Sequence, residues 1–381
     1  MRVGFFTEVY RPVVNGIVAS IDGLAEGLRA RGHEVYCFAP KVPGYVETDG
    51  PVFRMPSLPL PMSTPYRLTI PLVSRRNRIG VIKKLSIIHA HSPFVTGWMA
   101  QRYARRYGIP FVYTYHTRLE EYAHYVPFDE HATRFAATQL TRNFANLADT
   151  VIVPTLAMRD RLLELGVTRP VEIVPSGIDL RFFGSGTRRR EIREGLGVRE
   201  GDRLLLFVSR LAREKNVDLL LDALARSADP TLRLVLAGDG PERAPIEERV
   251  RDLGLSGQVS FAGGVERVHL PDLYASADAF VFPSVSETQG LVLAEALAAG
   301  AFVIAAEAPQ SRDVLGGAGV VAAADPAAFA AAFLAVPKTP DPAVDRRARE
   351  AATRFGLDEQ TEHVETLYER LLTREPEAVG S

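Results

Sequence analysis

Phe282-Pro283-Ser284-Val285-Ser286-Glu287-Thr288-Gln289-Gly290-Leu291-Val292-Leu293-Ala294-Glu295-Ala296-Leu297-Ala298-Ala299-Gly300 holds three local patterns in succession. The apolar run Ala279 to Phe282 leads in with the length and bulk of a buried strand. Pro283 to Thr288 is polar, and Leu293, Ala296 and Leu297 then recur at helical spacing as far as Gly300. Such a strand, loop, helix unit gathers its polar groups at a helix start. Unpaired backbone N–H groups and a partial positive charge there suit a phosphate or sugar hydroxyls. Glu287 and Glu295 stand eight residues apart. On one helix they would lie roughly 12 Å apart, at about 1.5 Å per residue, so Glu287 is assigned to the loop and Glu295 to the early turns of the helix. Glu295 falls in an apolar sequence where an unpaired carboxylate is costly, which favours a ligand role. The plainer reading makes Glu287 a solvated loop acid and Glu295 an exposed helix residue.

Working outward, the same β-then-α rhythm runs through the chain. In the first half Val3 to Phe6 reads as a strand, Ile17 to Ala30 as an amphipathic helix and Val35 to Phe38 as a second strand. Ile87 to His89, Phe111 to Thr114 and Val151 to Val153 are further short apolar runs. Pro56 to Pro71 reads as a surface excursion. The rhythm restarts with Leu204 to Val208, Leu232 to Ala237, Val259 to Phe261 and the opening unit, and a polar stretch, 178 to 200, reads as the linker. Alternation of this kind predicts α/β architecture: two parallel sheets covered by helices, whose ligands lie beyond the carboxyl ends of the strands. Two such domains facing across a cleft would comprise residues 1–180 and 200–357. The helical pattern at 358–373 is expected to pack back toward the N-terminal domain, and 374–381 reads as a frayed tail.

With 381 residues, two domains are the natural expectation, and 46% hydrophobic with 24% charged residues is an ordinary globular composition. Cys37 is the only cysteine, which excludes an intramolecular disulfide and fits a reducing, cytoplasmic compartment. The N-terminus reaches Glu8 too early for a signal peptide, and no run reads as a membrane-spanning helix. The net charge of −1 hides an asymmetry, because residues 1 to 180 hold 21 Lys and Arg against 15 Asp and Glu. Between Asp49 and Glu120 there is no acid, whereas Arg54, Arg67, Arg75, Arg76, Arg78, Lys83, Lys84, Arg102, Arg105, Arg106 and Arg118 all fall there. That half suits an anionic surface, such as the inner face of the plasma membrane, and equally suits plain solvation of helices. Nothing points to nucleic acid.

Polar residues cluster after the strands. Arg210 and Lys215 follow Leu204 to Val208 and would neutralise a diphosphate without a metal; on spacing alone the plainer reading is surface charge with an ion pair to Glu214. Gly238-Asp239-Gly240-Pro241-Glu242 permits close backbone approach, and Gly263-Gly264-Val265-Glu266 is another βα turn. In the first half stand Asn15-Gly16, His89 and His91, and the dense run Thr114 to Tyr125. The histidines lack zinc-site spacing, and no Asp-x-Asp pair occurs for a metal-bridged diphosphate. No metal or resident cofactor is therefore expected. A lone histidine after a strand is more often a packed core residue. His116, flanked by Tyr115 and Thr117 and followed by charge, is the best exception.

Taken in order, Pro175-Ser176-Gly177-Ile178-Asp179, Arg210 with Lys215, the Gly238 to Glu242 turn and the paired acids Glu287 and Glu295 resemble the retaining glycosyltransferases of family 4 over nearly the whole chain. The resemblance implies the GT-B fold and a metal-independent, retaining hexosyl transfer from a nucleotide diphosphate sugar, with a uridine diphosphate sugar the first choice and a guanosine diphosphate sugar the second. It implies that Arg210 and Lys215 bind the diphosphate and that Glu295 accepts from the ribose hydroxyls. Glu287 would hold the donor sugar, aided by N–H groups of Thr288, Gln289, Gly290 and Leu291, while Val265 flanks the base. Gly16 would admit the phosphate to the backbone, and His116 would stand with Glu287 at the catalytic centre, near the anomeric carbon. Thr114 to Tyr125 and Ser286 to Gly290 look closest to the bacterial diacylglycerol glucosyltransferases, which implies a lipid acceptor at a membrane surface. A soluble sugar or polysaccharide acceptor and a non-catalytic nucleotide-sugar-binding protein are the alternatives. Asn15-Gly16 departs from the commoner Gly-Gly, and Ser86 stands where an acid is usual.

Overall fold

A computed structural model describes residues 1–47, 50–60, 66–71, 76–125 and 128–373. Arg75, the side chains of Arg76, Arg78 and His124, and the stretch 374–381 read as a tail lie outside the described residues. The chain divides into two units, Met1–Gly177 with the returning segment from Leu357, and Ile178–Gly356.

The first unit is built on strands β1 (Arg2–Phe6), β2 (Glu34–Pro40) and β3 (Val52–Met55), a small antiparallel pair β4 (Ser57–Pro59) and β5 (Arg67–Thr69), then β6 (Ile87–Ala90), β7 (Phe111–Thr114), β8 (Thr150–Val153) and β9 (Val171–Ile173). Its main sheet runs β3-β2-β1-β6-β7-β8-β9, every pair parallel. The connections that leave β1 and β6 diverge from neighbouring strands, so their carboxyl ends form the switch point where an α/β sheet opens. β6, β7 and β8 are buried along their whole length, as a sheet covered on both faces requires. The helix Gly16–Ala30 begins where the Asn15 side chain accepts from the Val18 N–H at 2.9 Å. It packs Val18, Ile21, Leu24 and Leu28 into one cluster with Val364, Leu367, Tyr368 and Leu371 of the helix Leu357–Thr373. The i, i+3, i+4, i+7 spacing of those last four side chains is what seats the helix. Each such buried side chain contributes about 1.5–3 kcal/mol.

The second unit carries β10 (Arg203–Val208), β11 (Leu232–Ala237), β12 (Val259–Gly263), β13 (Ala279–Phe282), β14 (Val303–Ala306) and β15 (Val320–Ala322) in the order β12-β11-β10-β13-β14-β15. This is the doubly wound Rossmann order, with its switch point between β10 and β13. The stretch 178 to 200, read as a linker, is instead part of this unit. It forms the short helices Leu180–Gly184 and Arg190–Gly195, and Phe183 is buried against Tyr274. Its arginines are held by acids: Arg188 pairs with Asp278 at 2.7 Å, Arg189 with Asp272 at 2.8 Å and Arg193 with Asp278 at 2.9 Å. Among the described residues no helix is long and apolar enough to cross a membrane.

Candidate functional site

The opening stretch lies at the switch point of the second sheet. β13 ends at Phe282, the loop 283–290 follows, and the helix Leu291–Ala298 starts after Gly290, whose φ of 81° is the left-handed conformation glycine adopts without strain. The neighbouring loop, after β10, carries Arg210 and Lys215. The Lys215 ammonium meets Glu287 Oε1 at 2.5 Å, and the Ser284 hydroxyl donates to the same oxygen at 2.8 Å. Side-chain exposures of 14% and 18% make this a mostly desolvated ion pair rather than two solvated surface charges. Arg210 does pair with Glu214, at 3.2 Å, but the Glu214 side chain is itself buried and its backbone carbonyl accepts from the Ser284 and Ser286 hydroxyls. The two loops are thus stitched together, with Lys215 of one in direct contact with Glu287 of the other.

The Gly238 to Glu242 turn is hydrogen-bonded to this loop. The Leu211 N–H donates to the Asp239 carbonyl at 2.9 Å and the Glu242 N–H donates to the Leu211 carbonyl at 3.1 Å. A Cβ on Gly238 would stand 1.9 Å from the Ser209 carbonyl oxygen, and one on Gly240 would stand 2.1 Å from that of Leu211. The close approach therefore serves the Arg210 loop. Gly263, at the end of β12, accepts from the Gly238 N–H at 2.7 Å. Val265, two residues on, lines a groove of about 290 Å³ with Ile192, Leu196 and Ala262.

Glu295 is the fifth residue of the helix Leu291–Ala298 and is only 9% exposed. The Tyr274 hydroxyl donates to its Oε2 at 2.8 Å. Burial raises the carboxyl's pKa, against the Tyr274 hydrogen bond and the charge of Arg267, both of which lower it. Glu287, by contrast, lies in the loop. Thr288 and Leu291 are half-buried and Gln289 is buried.

In the first unit Gly16 is exposed at the first position of its helix. His116 follows β7, and its Nε2 lies 3.0 Å from His91 Nδ1, just past β6. Loss of hydration pulls the His116 pKa down to about 4. His89 and His91 are lowered well below the usual imidazole range by burial and by their histidine neighbours. Glu8, past β1, is buried and accepts from the Thr69 N–H at 2.5 Å and the Thr96 N–H at 2.9 Å. It ties the small hairpin to the helix Val95–Tyr107.

A profile of glycosyl transferases group 1 matches residues 188–355, and a profile of Glycosyltransferase Family 4 matches residues 14–182. The chain is 32% identical to an alpha-monoglucosyldiacylglycerol synthase of Acholeplasma laidlawii, over 80% of either protein. The chain belongs to glycosyltransferase family 4. A GDP-mannose-dependent alpha-mannosyltransferase of Mycobacterium tuberculosis is 32% identical over 83% of this glycosyltransferase and 81% of its own length. The sucrose-phosphate synthase of Thermosynechococcus elongatus superposes with a TM-score of 0.77 at 22% identity, over 97% of this chain and 98% of that one. The fold is therefore GT-B.

Three partners in this glycosyltransferase escaped sequence reasoning. Tyr274, on Glu295, is 21 positions away and sits in an ordinary helical pattern. Ser284 gave a signal only as one of several loop hydroxyls. Glu8, the acid that ended the first strand, was read as evidence against a signal peptide and not as a buried clamp.

Proposed function

We propose that this glycosyltransferase moves a hexose, with retention, from a nucleotide diphosphate sugar to a membrane lipid acceptor such as diacylglycerol or a glycolipid. The observation that carries the donor side is the Lys215–Glu287 pair at the switch point of the second sheet, with Arg210 on the same loop. On this reading Arg210 and Lys215 neutralise the diphosphate, Glu287 and the Thr288, Gln289, Gly290 and Leu291 N–H groups hold sugar and phosphate, Glu295 takes the ribose, and Val265 flanks the base. Gly16 and His116 serve from the first unit. The bond from the anomeric carbon to the phosphate oxygen breaks, the acceptor oxygen bonds to that carbon on the same face, and the acceptor proton passes to the departing phosphate. Stabilising that leaving group is the main catalytic contribution. No protein nucleophile and no metal are needed. A uridine diphosphate sugar is the first choice of donor and a guanosine diphosphate sugar the second.

For the acceptor, the related alpha-monoglucosyldiacylglycerol synthase acts, by its name, in glycolipid formation. A surface of the first unit supports the same reading here. Leu68, Phe94 and Trp98 line an open groove of about 970 Å³ together with Arg102, Arg105 and Arg106. Trp98 is 44% exposed, and those arginines follow it at i+4, i+7 and i+8 along the helix Val95–Tyr107. An interfacial tryptophan beside a cationic stripe suits the headgroup region of an anionic leaflet, each cation contributing about 1 kcal/mol. Not all of the acid-free stretch is available for this: Arg54 is spent on Glu47 and on the rings of Tyr10 and Tyr45.

The test is a donor screen with UDP-glucose and GDP-mannose, in anionic vesicles with and without diacylglycerol. The expected product is an α-linked glycolipid formed from one of the two donors, with vesicle binding lost in Trp98→Ala/Arg105→Glu. Turnover on soluble sugars with none on lipid would overturn the acceptor assignment.

A further inference from the structure

His89 in β6, His91 just past it and His116, after β7, form a row in the first unit, inward from His116 through His91 to His89. His91 and His116 stack with centroids 5.3 Å apart at 25°, and His89 and His91 lie 4.2 Å apart at 30°. The inner ring is held at both nitrogens, Nδ1 at 2.6 Å from the Tyr368 hydroxyl and Nε2 at 2.6 Å from the Thr114 hydroxyl. Phe5 meets the His91 ring edge-on at 4.7 Å. His91 is therefore wedged between Phe5, His89 and His116, and its ring has one hydrogen bond, from Nδ1 to His116 Nε2. His91 Nε2 is buried and has no hydrogen-bond partner among the described residues.

That asymmetry decides where the protons sit. Both rings are neutral, because burial works against a charged imidazole, so one proton serves the His91–His116 contact. If His116 supplied it, His91 would keep its own proton on Nε2 and bury an N–H with no acceptor. If His91 supplies it from Nδ1, only a lone pair is left without a partner. Orphaned buried N–H groups are the rarer and costlier case. We propose that His91 is a positioning residue that donates from Nδ1 to His116 Nε2 and so fixes His116 in the tautomer with its proton on Nδ1. The inference rests on the reading of His116 as a residue near the anomeric carbon. Its chemical consequence is that His116 works there as a hydrogen-bond donor and not as a base. That suits a transfer in which the departing phosphate takes the acceptor proton. Tyr368 carries the arrangement into the helix Leu357–Thr373, which thereby supports a reacting group from behind.

The test is a long-range 1H–15N spectrum of histidine-labelled protein at neutral pH. Protonated Nδ1 and bare Nε2 on His116 are expected in the native chain. A proton on His116 Nε2 would overturn the proposal, and this readout needs no variant and no activity. In His91→Leu the His116 proton should shift toward Nε2, and kcat should fall about 10- to 100-fold with donor KM little changed, since a misplaced group costs rate rather than binding. His91→Asn, whose amide can donate where Nδ1 did, should restore the tautomer and part of the rate. Unchanged tautomer and kcat in His91→Leu would refute the positioning role. Full activity in His116→Ala would remove instead the catalytic reading of His116, while leaving the tautomer assignment standing.

Discussion

At the scale of the residue, Glu295 shows what a site asks of a fold. Its carboxyl is buried and its pKa raised, so the folded chain holds a proton to higher pH than the unfolded chain, and its contribution to stability falls as pH rises through that interval. Glu295→Gln removes the buried charge and can still accept from Tyr274. Thermal unfolding at pH 7.5 should show a variant at least as stable as the native protein. Its donor affinity should drop by about 10- to 100-fold, the worth of charged hydrogen bonds to ribose at about 1.5–3 kcal/mol. Lower stability with full donor affinity would make Glu295 a structural acid. Its unusual status was legible in the sequence, since an acid inside Leu293 to Leu297 demands an explanation. Tyr274 was not legible, because no periodicity links it to a partner 21 positions away. The sequence assigns Lys215 and Glu287 to a shared ligand as an expectation and says nothing of their direct contact, which spans 72 positions.

At the scale of the element, the loop after β10 takes its shape from the turn after β11. Gly238 combines a φ of 146° with a site where a Cβ would strike the Ser209 carbonyl at 1.9 Å. Gly238→Ala should cost about 1–3 kcal/mol in urea unfolding and displace the Arg210 loop, weakening nucleotide binding at least tenfold. A stable variant with native nucleotide affinity would show that the turn does not shape the site. Strands and helices were legible from apolar runs and from helical spacing, and β7, β11 and β13 fall on the expected residues. β3, β9, β14 and β15 were not assigned: Arg54 and Glu172 interrupt the first two, and β14 and β15 lie in alanine-rich sequence that gives no contrast at their ends. The polar stretch 178 to 200 misled for a related reason: composition counts charges but does not say that Arg188, Arg189 and Arg193 have Asp272 and Asp278 waiting for them.

At the scale of the whole molecule, the repeated βα rhythm revealed two Rossmann-like units. Strand order was beyond it, since periodicity marks strands without naming their neighbours. The order matters most, because it puts the loops after β10 and β13 side by side. Acid should act on the chain through its buried neutral histidines. With His116 lowered to about 4, and His89 and His91 lowered too, the unfolded chain binds more protons below about pH 6.5. Stability therefore falls as pH drops from about 6.5 toward 4, and His89→Gln/His91→Gln should flatten the loss in urea midpoints taken between pH 7.5 and 5. An equally steep loss in the variant would place the acid sensitivity elsewhere. The central claim is that the switch point of the second sheet holds the donor diphosphate, and calorimetric titration of native and Arg210→Ala protein with UDP-glucose and GDP-mannose tests it most directly. The account predicts that one of these nucleotides binds the native chain and that the loss of Arg210, a charged hydrogen-bond donor, weakens it about tenfold or more. Equal affinity in both proteins, or no binding of either nucleotide to the native chain, would contradict it.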